Sequence, residues 1–88
     1  MEDLGQPASY LILDKGAPVY TSDGEQVGRV EEVRADQEND IFDGLVIAHG
    51  MLVRAEHYVP ADQIEEIYER GVVLMLDAAG VEGLPEPE

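Results

Sequence analysis

The chain alternates short apolar runs with turn sequences, and the runs have the length of β-strands. Apolar and polar positions alternate over residues 51–59, as they do along a half-buried strand. The contiguous apolar residues 45–47 predict instead a strand that is covered on both faces. We predict strands at residues 10–13, 18–20, 27–33, 41–48, 51–59, 65–68 and 72–76. The pattern therefore predicts an all-β domain with at most short helical turns.

The segment from residue 18 to residue 33 carries the strongest local signal and predicts a β-hairpin. Pro18 lacks an amide hydrogen, so it suits the start of a strand. Residues 21–24, Thr-Ser-Asp-Gly, combine side chains that hydrogen-bond to nearby backbone with a glycine that accepts positive φ. The valines that follow recur every three residues, as on a helix, but the turn and Gly28 favour a strand with a bulge near Gly28. A bulge bends its strand, and bending is what closes a small barrel.

Residues 60–71 fit two local structures. Asp62 as a cap and Gly71 as a stop would frame a helix. The dense strand sequence of residues 72–76, however, needs a neighbouring strand, and residues 69–71, Glu-Arg-Gly, make a good turn into it. We predict one helical turn at residues 60–63, followed by a hairpin.

We divide the chain into three segments. Residues 1–9 are polar and lack periodicity, which predicts a flexible N-terminal arm. Residues 10–77 form the barrel domain, because a chain of 88 residues has room for one core. Residues 78–88 are small and polar, so we expect a C-terminal segment that is partly ordered and then frayed.

Three stretches occur in an order that resembles the PRC-barrel family: GAPVYTSDGEQVGRVEEV, DIFDGLVI and HYVPADQIEEIYERGVVLML. The likeness covers about residues 16–77. The family includes barrels in the photosynthetic reaction-centre H subunit and in a ribosome maturation factor. The resemblance implies a strongly bent, six-stranded antiparallel β-barrel that makes protein contacts and has no catalytic residues.

The formal net charge of −15 restricts the classes of partner that the protein can bind. Affinity for nucleic acid and for anionic lipid depends on Lys and Arg, and the chain has 5 of these against 20 acidic residues. Cysteine is absent, which removes disulfides and thiolate metal sites. The sequence has no signal-peptide pattern and no apolar run of spanning length. We expect an acidic cytoplasmic protein that binds no nucleic acid and does not insert into membranes.

An acidic loop is the first candidate for metal chemistry. Asp36, Glu38 and Asp40 place carboxylates at alternate positions, as at the start of a calcium loop. The sixth and twelfth positions of such a loop need glycine and glutamate, but the chain has Ile41 and Ile47 there. The three carboxylates are therefore candidate ligands, but the sequence does not predict a calcium site.

The only two histidines, His49 and His57, are the second candidate, since they flank a turn and can meet across an antiparallel pair. With Glu56 they could ligate zinc, but the spacing matches no established zinc motif. Ser9 and Ser22 lie outside any nucleophile elbow. We assign no catalytic residue, no metal and no cofactor.

Several predicted strands carry apolar side chains on both faces, whereas a small barrel fills its interior from one face. Either the C-terminal segment with Val81, Leu84 and Pro85 covers the other face, or a second copy of the chain does. We expect a homodimer. We further expect a non-enzymatic interaction or adaptor module that holds an unidentified protein partner on its acidic outer face or exposed barrel edge. The alternatives are a sensor of small ligands or of calcium or zinc ions, and a metal-assisted hydrolase.

The excess of negative charge predicts that salt stabilises the fold. Raising sodium chloride from about 0.01 M to about 0.5 M screens repulsion between carboxylates, so the thermal unfolding midpoint should rise. Chloride is the anion of choice because sulfate also stabilises proteins by exclusion from their surface. A midpoint that stays flat in a circular dichroism melt would show that the carboxylates do not destabilise the fold.

Overall fold

The computed structural model describes residues 3–50 and 55–87. Its strands are β1 (Pro18–Tyr20), β2 (Gln26–Asp36), β3 (Ile41–His49), β4 (Ala55–Pro60), β5 (Ile64–Tyr68) and β6 (Gly71–Leu74). One short helix, α1 (Ala78–Glu82), follows them, and 3-10 turns lie at Tyr10–Ile12 and Ala61–Gln63. The prediction of an all-β fold with short helical turns is confirmed, and the six strands match the number that the family resemblance implies. The predicted strand residues 51–54 lie outside the described residues.

All six strands belong to one sheet, in the order β4-β3-β2-β1-β6-β5. A link of three residues, Ala61–Gln63, joins β4 to β5, although these strands lie at opposite ends of that order. Such a link spans at most about 14 Å, whereas a flat sheet of six strands is about 24 Å wide. The sheet therefore bends until its two edges approach each other. The result is a bent, barrel-like sheet. Among the described residues, β4 and β5 do not pair with each other, so the barrel is not closed.

One strand pairing differs from the predicted antiparallel barrel. β1 and β6 run parallel, with Val19 opposite Val72 and Tyr20 opposite Val73. The cause is the link between β4 and β5, which carries the chain across the open side of the barrel without reversing its direction as a hairpin would. The alternative of a helix at residues 64–69 is excluded, because β5 and β6 form the predicted hairpin.

Bulges produce the bend. Val19 faces Gly28 while Tyr20 faces Gln26, so Val27 is an extra residue in β2 and the predicted bulge near Gly28 is confirmed. A side chain at Gly28 would bring its Cβ within 2.8 Å of the Ala48 carbonyl oxygen. Glycine is therefore required where β2 passes close to the backbone of β3.

The predicted turn between β1 and β2 is present and internally hydrogen-bonded. Gly24 has a φ of 89°, which glycine adopts without strain. The buried Thr21 hydroxyl donates a hydrogen bond to the Asp23 carboxylate and accepts one of 3.0 Å from the Glu25 amide. Local side chains therefore hold this turn, as the sequence predicts.

The main core lies on the inner face of the bent sheet. Residues from five of the strands, from the segment before β1 and from α1 contribute to it: Leu13, Val19, Val30, Leu45, Ile47, Val59, Val72, Leu74 and Val81. Val46 lies between two core residues and is also buried, so β3 is covered on both faces as predicted. The apolar surplus in the sequence is therefore buried within one chain along β3.

The predicted first strand at residues 10–13 is wrong. Tyr10–Ile12 is a 3-10 turn, and the Ser9 hydroxyl caps it by accepting a 3.1 Å hydrogen bond from the Leu11 amide. Leu13 alone reaches the core, whereas Leu11 and Ile12 are exposed. The cap offers the backbone a local partner, so this run does not need a neighbouring strand.

The N-terminal segment, predicted as a flexible arm, lies along the free edge of β5. The amide of Ala8 donates to the Ile67 carbonyl at 2.8 Å, and the amide of Arg70 donates to the Leu4 carbonyl at 2.9 Å. Leu4 is buried in a second apolar cluster with Tyr20 and Val73. The segment thus covers the outer face of the β1 and β6 region.

The C-terminal segment lies along the other sheet edge. Asp77 caps α1 by accepting a 2.8 Å hydrogen bond from the Gly80 amide. Beyond the helix, Leu84 packs against the main core and the Tyr58 amide of β4 donates to the Pro85 carbonyl at 2.8 Å. The C-terminal segment folds back, but Val81 and Leu84 join the main core on the inner face and do not cover the outer face as the sequence analysis proposed.

Replacing Leu4 by Ala should destabilise the protein by about 2–3 kcal/mol, since it removes buried methyl groups and leaves a cavity beside Tyr20 and Val73. The matched control is Leu11→Ala, at an exposed leucine, which should change the free energy of unfolding by less than about 0.5 kcal/mol. Urea unfolding measures both. Equal, small effects of the two substitutions would show that the N-terminal segment does not pack on the sheet in solution.

Candidate functional site

The acidic loop between β2 and β3 is a self-contained turn. The Asp36 carboxylate accepts hydrogen bonds from the Asn39 side-chain amide at 2.8 Å and from the Asn39 backbone amide at 3.3 Å. These bonds, the side-chain bond first, lower the pKa of Asp36 below its ordinary value of 3.8. Asp40 closes the turn with a φ of 53°, a conformation that Asp tolerates.

The 3-10 turn at Tyr10–Ile12 is fixed to this loop. The Tyr10 hydroxyl donates a 2.9 Å hydrogen bond to Asp40, and the Tyr10 ring stacks on Phe42 with 5.0 Å between ring centroids. The bond to Asp40 also raises the pKa of Tyr10 above its ordinary value of 10.0. Both contacts hold the exposed residues that follow Tyr10 in a defined position.

The candidate calcium ligands Asp36 and Asp40 accept hydrogen bonds from different parts of the chain. Asp36 turns back to Asn39, while Asp40 accepts from Tyr10 on the neighbouring turn. Within residues 3–50 and 55–87, no group of three or more His, Asp or Glu side chains is arranged to hold a metal ion. The structure therefore does not bring Asp36, Glu38 and Asp40 together as a ligand set.

An exposed apolar patch lies beside the acidic loop, and we define it as Leu11 and Ile12. These side chains are 57% and 53% exposed. Both follow Tyr10, whose contacts with Asp40 and Phe42 fix the turn beside the loop. Ile41 is also exposed, but its side chain points to the face of β3 opposite Phe42, so it lies outside the patch. Ser9, a typical cap residue, is the signal that indicates this turn, but the length of the apolar run that follows favours a buried strand.

His49 and His57 meet on adjacent strands, as the sequence suggested. His57 faces Ile47 and His49 faces Ala55 in the pairing of β3 with β4, so the two histidines are diagonal neighbours. Their Nε2 atoms are 3.3 Å apart, and their ring planes differ by 6°. Nδ1 of His57 lies 3.2 Å from the Leu84 carbonyl oxygen. The pair is half-buried on the inner face of the sheet.

Glu56, the third proposed zinc ligand, lies on the other face of β4. Successive side chains of a strand point to opposite faces, so Glu56 cannot share the inner face with its neighbour His57. The outer face of this region carries Tyr58, whose ring lies under the Arg34 guanidinium at 5.7 Å. Arg34 also pairs with Glu32 at 2.7 Å.

Comparison with known proteins adds one finding. The family model of the PRC-barrel domain matches residues 15–80, three quarters of the chain. No curated protein matches the chain. Among the described residues, no helix has the length and apolar character needed to cross a membrane.

The Asn39 bonds predict an abnormally acidic Asp36. A lowered folded-state pKa means that the stabilisation from Asp36 is present above its unfolded pKa and is lost as pH falls through the folded value. NMR titration of the carboxyl carbons should give Asp36 a pKa below 3.8, and Asn39→Ala should raise it towards that value. Gln37→Ala, in the same loop, is the control and should leave it unchanged. An Asp36 pKa that is the same in the wild type and in Asn39→Ala would contradict the hydrogen bonds seen in this turn.

Proposed function

The chain belongs to the PRC-barrel domain family, and we propose that it is a non-enzymatic protein-interaction module. The family match establishes that the chain is a small β-barrel module. Support for an interaction role comes from the apolar patch, which is the observation that carries the proposal. We further propose that the module works in the cytoplasm.

The apolar patch has the properties of a contact surface. Its two side chains are each more than half exposed, although leucine and isoleucine are usually buried. Grouped apolar residues on a protein surface mark sites of protein contact more often than scattered ones do. The hydrogen bond and stacking of Tyr10 hold the patch in place, so a partner would lose little entropy by ordering it.

The surroundings of the patch define the chemistry of the partner. The adjoining loop contributes the carboxylates of Asp36, Glu38 and Asp40, and Asp43 follows in β3. A partner surface with apolar side chains flanked by Lys or Arg would match both the patch and its acidic rim. The charge would mainly accelerate association and select the partner, while the apolar contact would hold the complex.

The sheet edges are poor sites for a partner strand. The N-terminal segment hydrogen-bonds to β5 and the C-terminal segment to β4, so both edge strands of the sheet already have partners from their own chain. The expectation that a partner binds to an exposed barrel edge therefore has no support at β4 or β5. Recognition through side chains of the apolar patch fits the structure better than strand addition does.

A homodimer remains a second form of the same proposal. The sequence favours it because several strands carry apolar side chains on both faces, and the N-terminal segment covers part of the outer apolar surface. The apolar patch is the surface that a second copy would use. The acidic rims of two copies would repel each other, so a dimer through this patch should tighten as salt rises.

Affinity capture with variants tests the proposal. Immobilised wild-type protein, a Leu11→Ser/Ile12→Ser variant and a Met75→Ser control are incubated with native extract, and quantitative mass spectrometry compares the captured proteins. Met75 is 60% exposed but lies outside the patch, which makes it a matched control. The double variant should lose at least one captured protein by about tenfold, equivalent to about 1.4 kcal/mol of binding, and the control should retain it.

Light scattering of the same three proteins at high micromolar concentration separates a foreign partner from a second copy. A dimer in the wild type that the double variant abolishes would assign the patch to self-association. Identical captured proteins and identical masses for all three proteins would contradict the proposal that the patch is a contact surface.

A further inference from the structure

We propose that His49 and His57 form a two-histidine binding site for a transition-metal ion of the zinc type. The metal would bind to the two Nε2 atoms, with water in its remaining positions. This site is separate from the apolar patch and does not depend on the interaction role. The geometry of the histidine pair, the tautomer of His57 and the rigidity of the two strands each support it.

The distance between the two nitrogen atoms already fits a shared metal. Nε2 of His49 and Nε2 of His57 are 3.3 Å apart. Tetrahedral zinc with bonds of about 2.0–2.1 Å holds two imidazole nitrogens about 3.3–3.4 Å from each other. At that separation the ion lies to one side of the line between the two nitrogens, so binding requires the rings to rotate towards the ion but does not require the strands to separate.

The protein fixes the proton of His57 on the nitrogen that does not face the pair. A carbonyl oxygen can only accept a hydrogen bond, so Nδ1 of His57 must donate to the Leu84 carbonyl at 3.2 Å. Neutral His57 then presents a lone pair at Nε2, which is the form that binds metal. A backbone carbonyl that accepts from the second ring nitrogen is also the usual support of a metal-binding histidine.

The tautomer of His49 follows from that of His57. In the metal-free pair, Nε2 of His49 carries a hydrogen and donates it to the lone pair on Nε2 of His57. Metal binding replaces this hydrogen bond, and the proton of neutral His49 moves to Nδ1. The ion thus occupies the place of the hydrogen that bridges Nε2 of His49 and Nε2 of His57.

The sheet holds both rings in position. His49 shares the inner face of β3 with the buried residue Ile47, and His57 shares the inner face of β4 with buried Val59. Ligands on paired strands are placed more accurately than ligands on loops. An open depression lies beside His49, and Arg29, Val81 and Glu82 also line it.

Ligand chemistry selects the class of ion. Imidazole suits zinc, copper and nickel, whereas magnesium and calcium prefer oxygen ligands. The negative net charge raises the local concentration of all cations, so the selectivity must come from the histidines. Two protein ligands make the site weaker and more exchangeable than a structural site with four.

Isothermal titration with zinc tests the site, in sodium chloride buffer with excess magnesium to occupy the carboxylates. The wild type should bind one equivalent, and His49→Gln and His57→Gln should each weaken binding at least about tenfold. An Asp36→Asn/Asp40→Asn variant is the control for carboxylate binding and should match the wild type. Circular dichroism checks the fold of each variant.

His49→Gln is the decisive variant, because His49 lacks the bond to Leu84 and its loss should leave the C-terminal segment in place. Nitrogen-15 spectra of the imidazoles provide a second readout and should show Nε2 of both rings shifting on zinc addition. Zinc affinity within twofold of the wild type in His49→Gln, or loss of affinity only in the acidic-loop variant, would overturn the proposal.

Discussion

The three-residue link between β4 and β5 is the constraint on which the rest of the structure depends. It joins strands from opposite ends of the sheet order, so the sheet must bend. Bending creates one inner face for the main core, and bulges such as the one beside Gly28 make it geometrically feasible. The same link sets β1 parallel to β6, because it crosses the barrel without reversing the chain.

A sheet bent in this way still has two edges and an outer face to protect, and the chain uses its terminal segments for that purpose. The N-terminal segment covers β5 and buries Leu4 outside β1 and β6, while the C-terminal segment hydrogen-bonds to β4. Coverage of both edges leaves side chains, rather than open strand edges, for contact with other molecules. The apolar patch and the histidine pair present such side chains in fixed geometry.

The sequence predicted the parts of the fold that local chemistry determines. The turn at residues 21–24, the bulge at Gly28 and the hairpin of β5 and β6 each depend on residues close in the chain. The prediction of a strand at residues 10–13 is wrong because the hydrophobic pattern of the run masks the helical cap at Ser9. The parallel pair and the packing of Leu4 depend on contacts between distant residues, which no local pattern encodes. The histidines were found, but their 3.3 Å separation and the orientation of Glu56 follow only from strand register.

Native-state hydrogen exchange measured by NMR tests most directly whether the termini are integral to the fold. The amide of Ala8 donates to the Ile67 carbonyl, the amide of Arg70 donates to the Leu4 carbonyl, and the amide of Tyr58 donates to the Pro85 carbonyl. The structure predicts that all three exchange much more slowly than an unstructured chain, with protection close to that of neighbouring strand amides. Exchange of these three amides at unstructured rates, with the core strands still protected, would contradict the account.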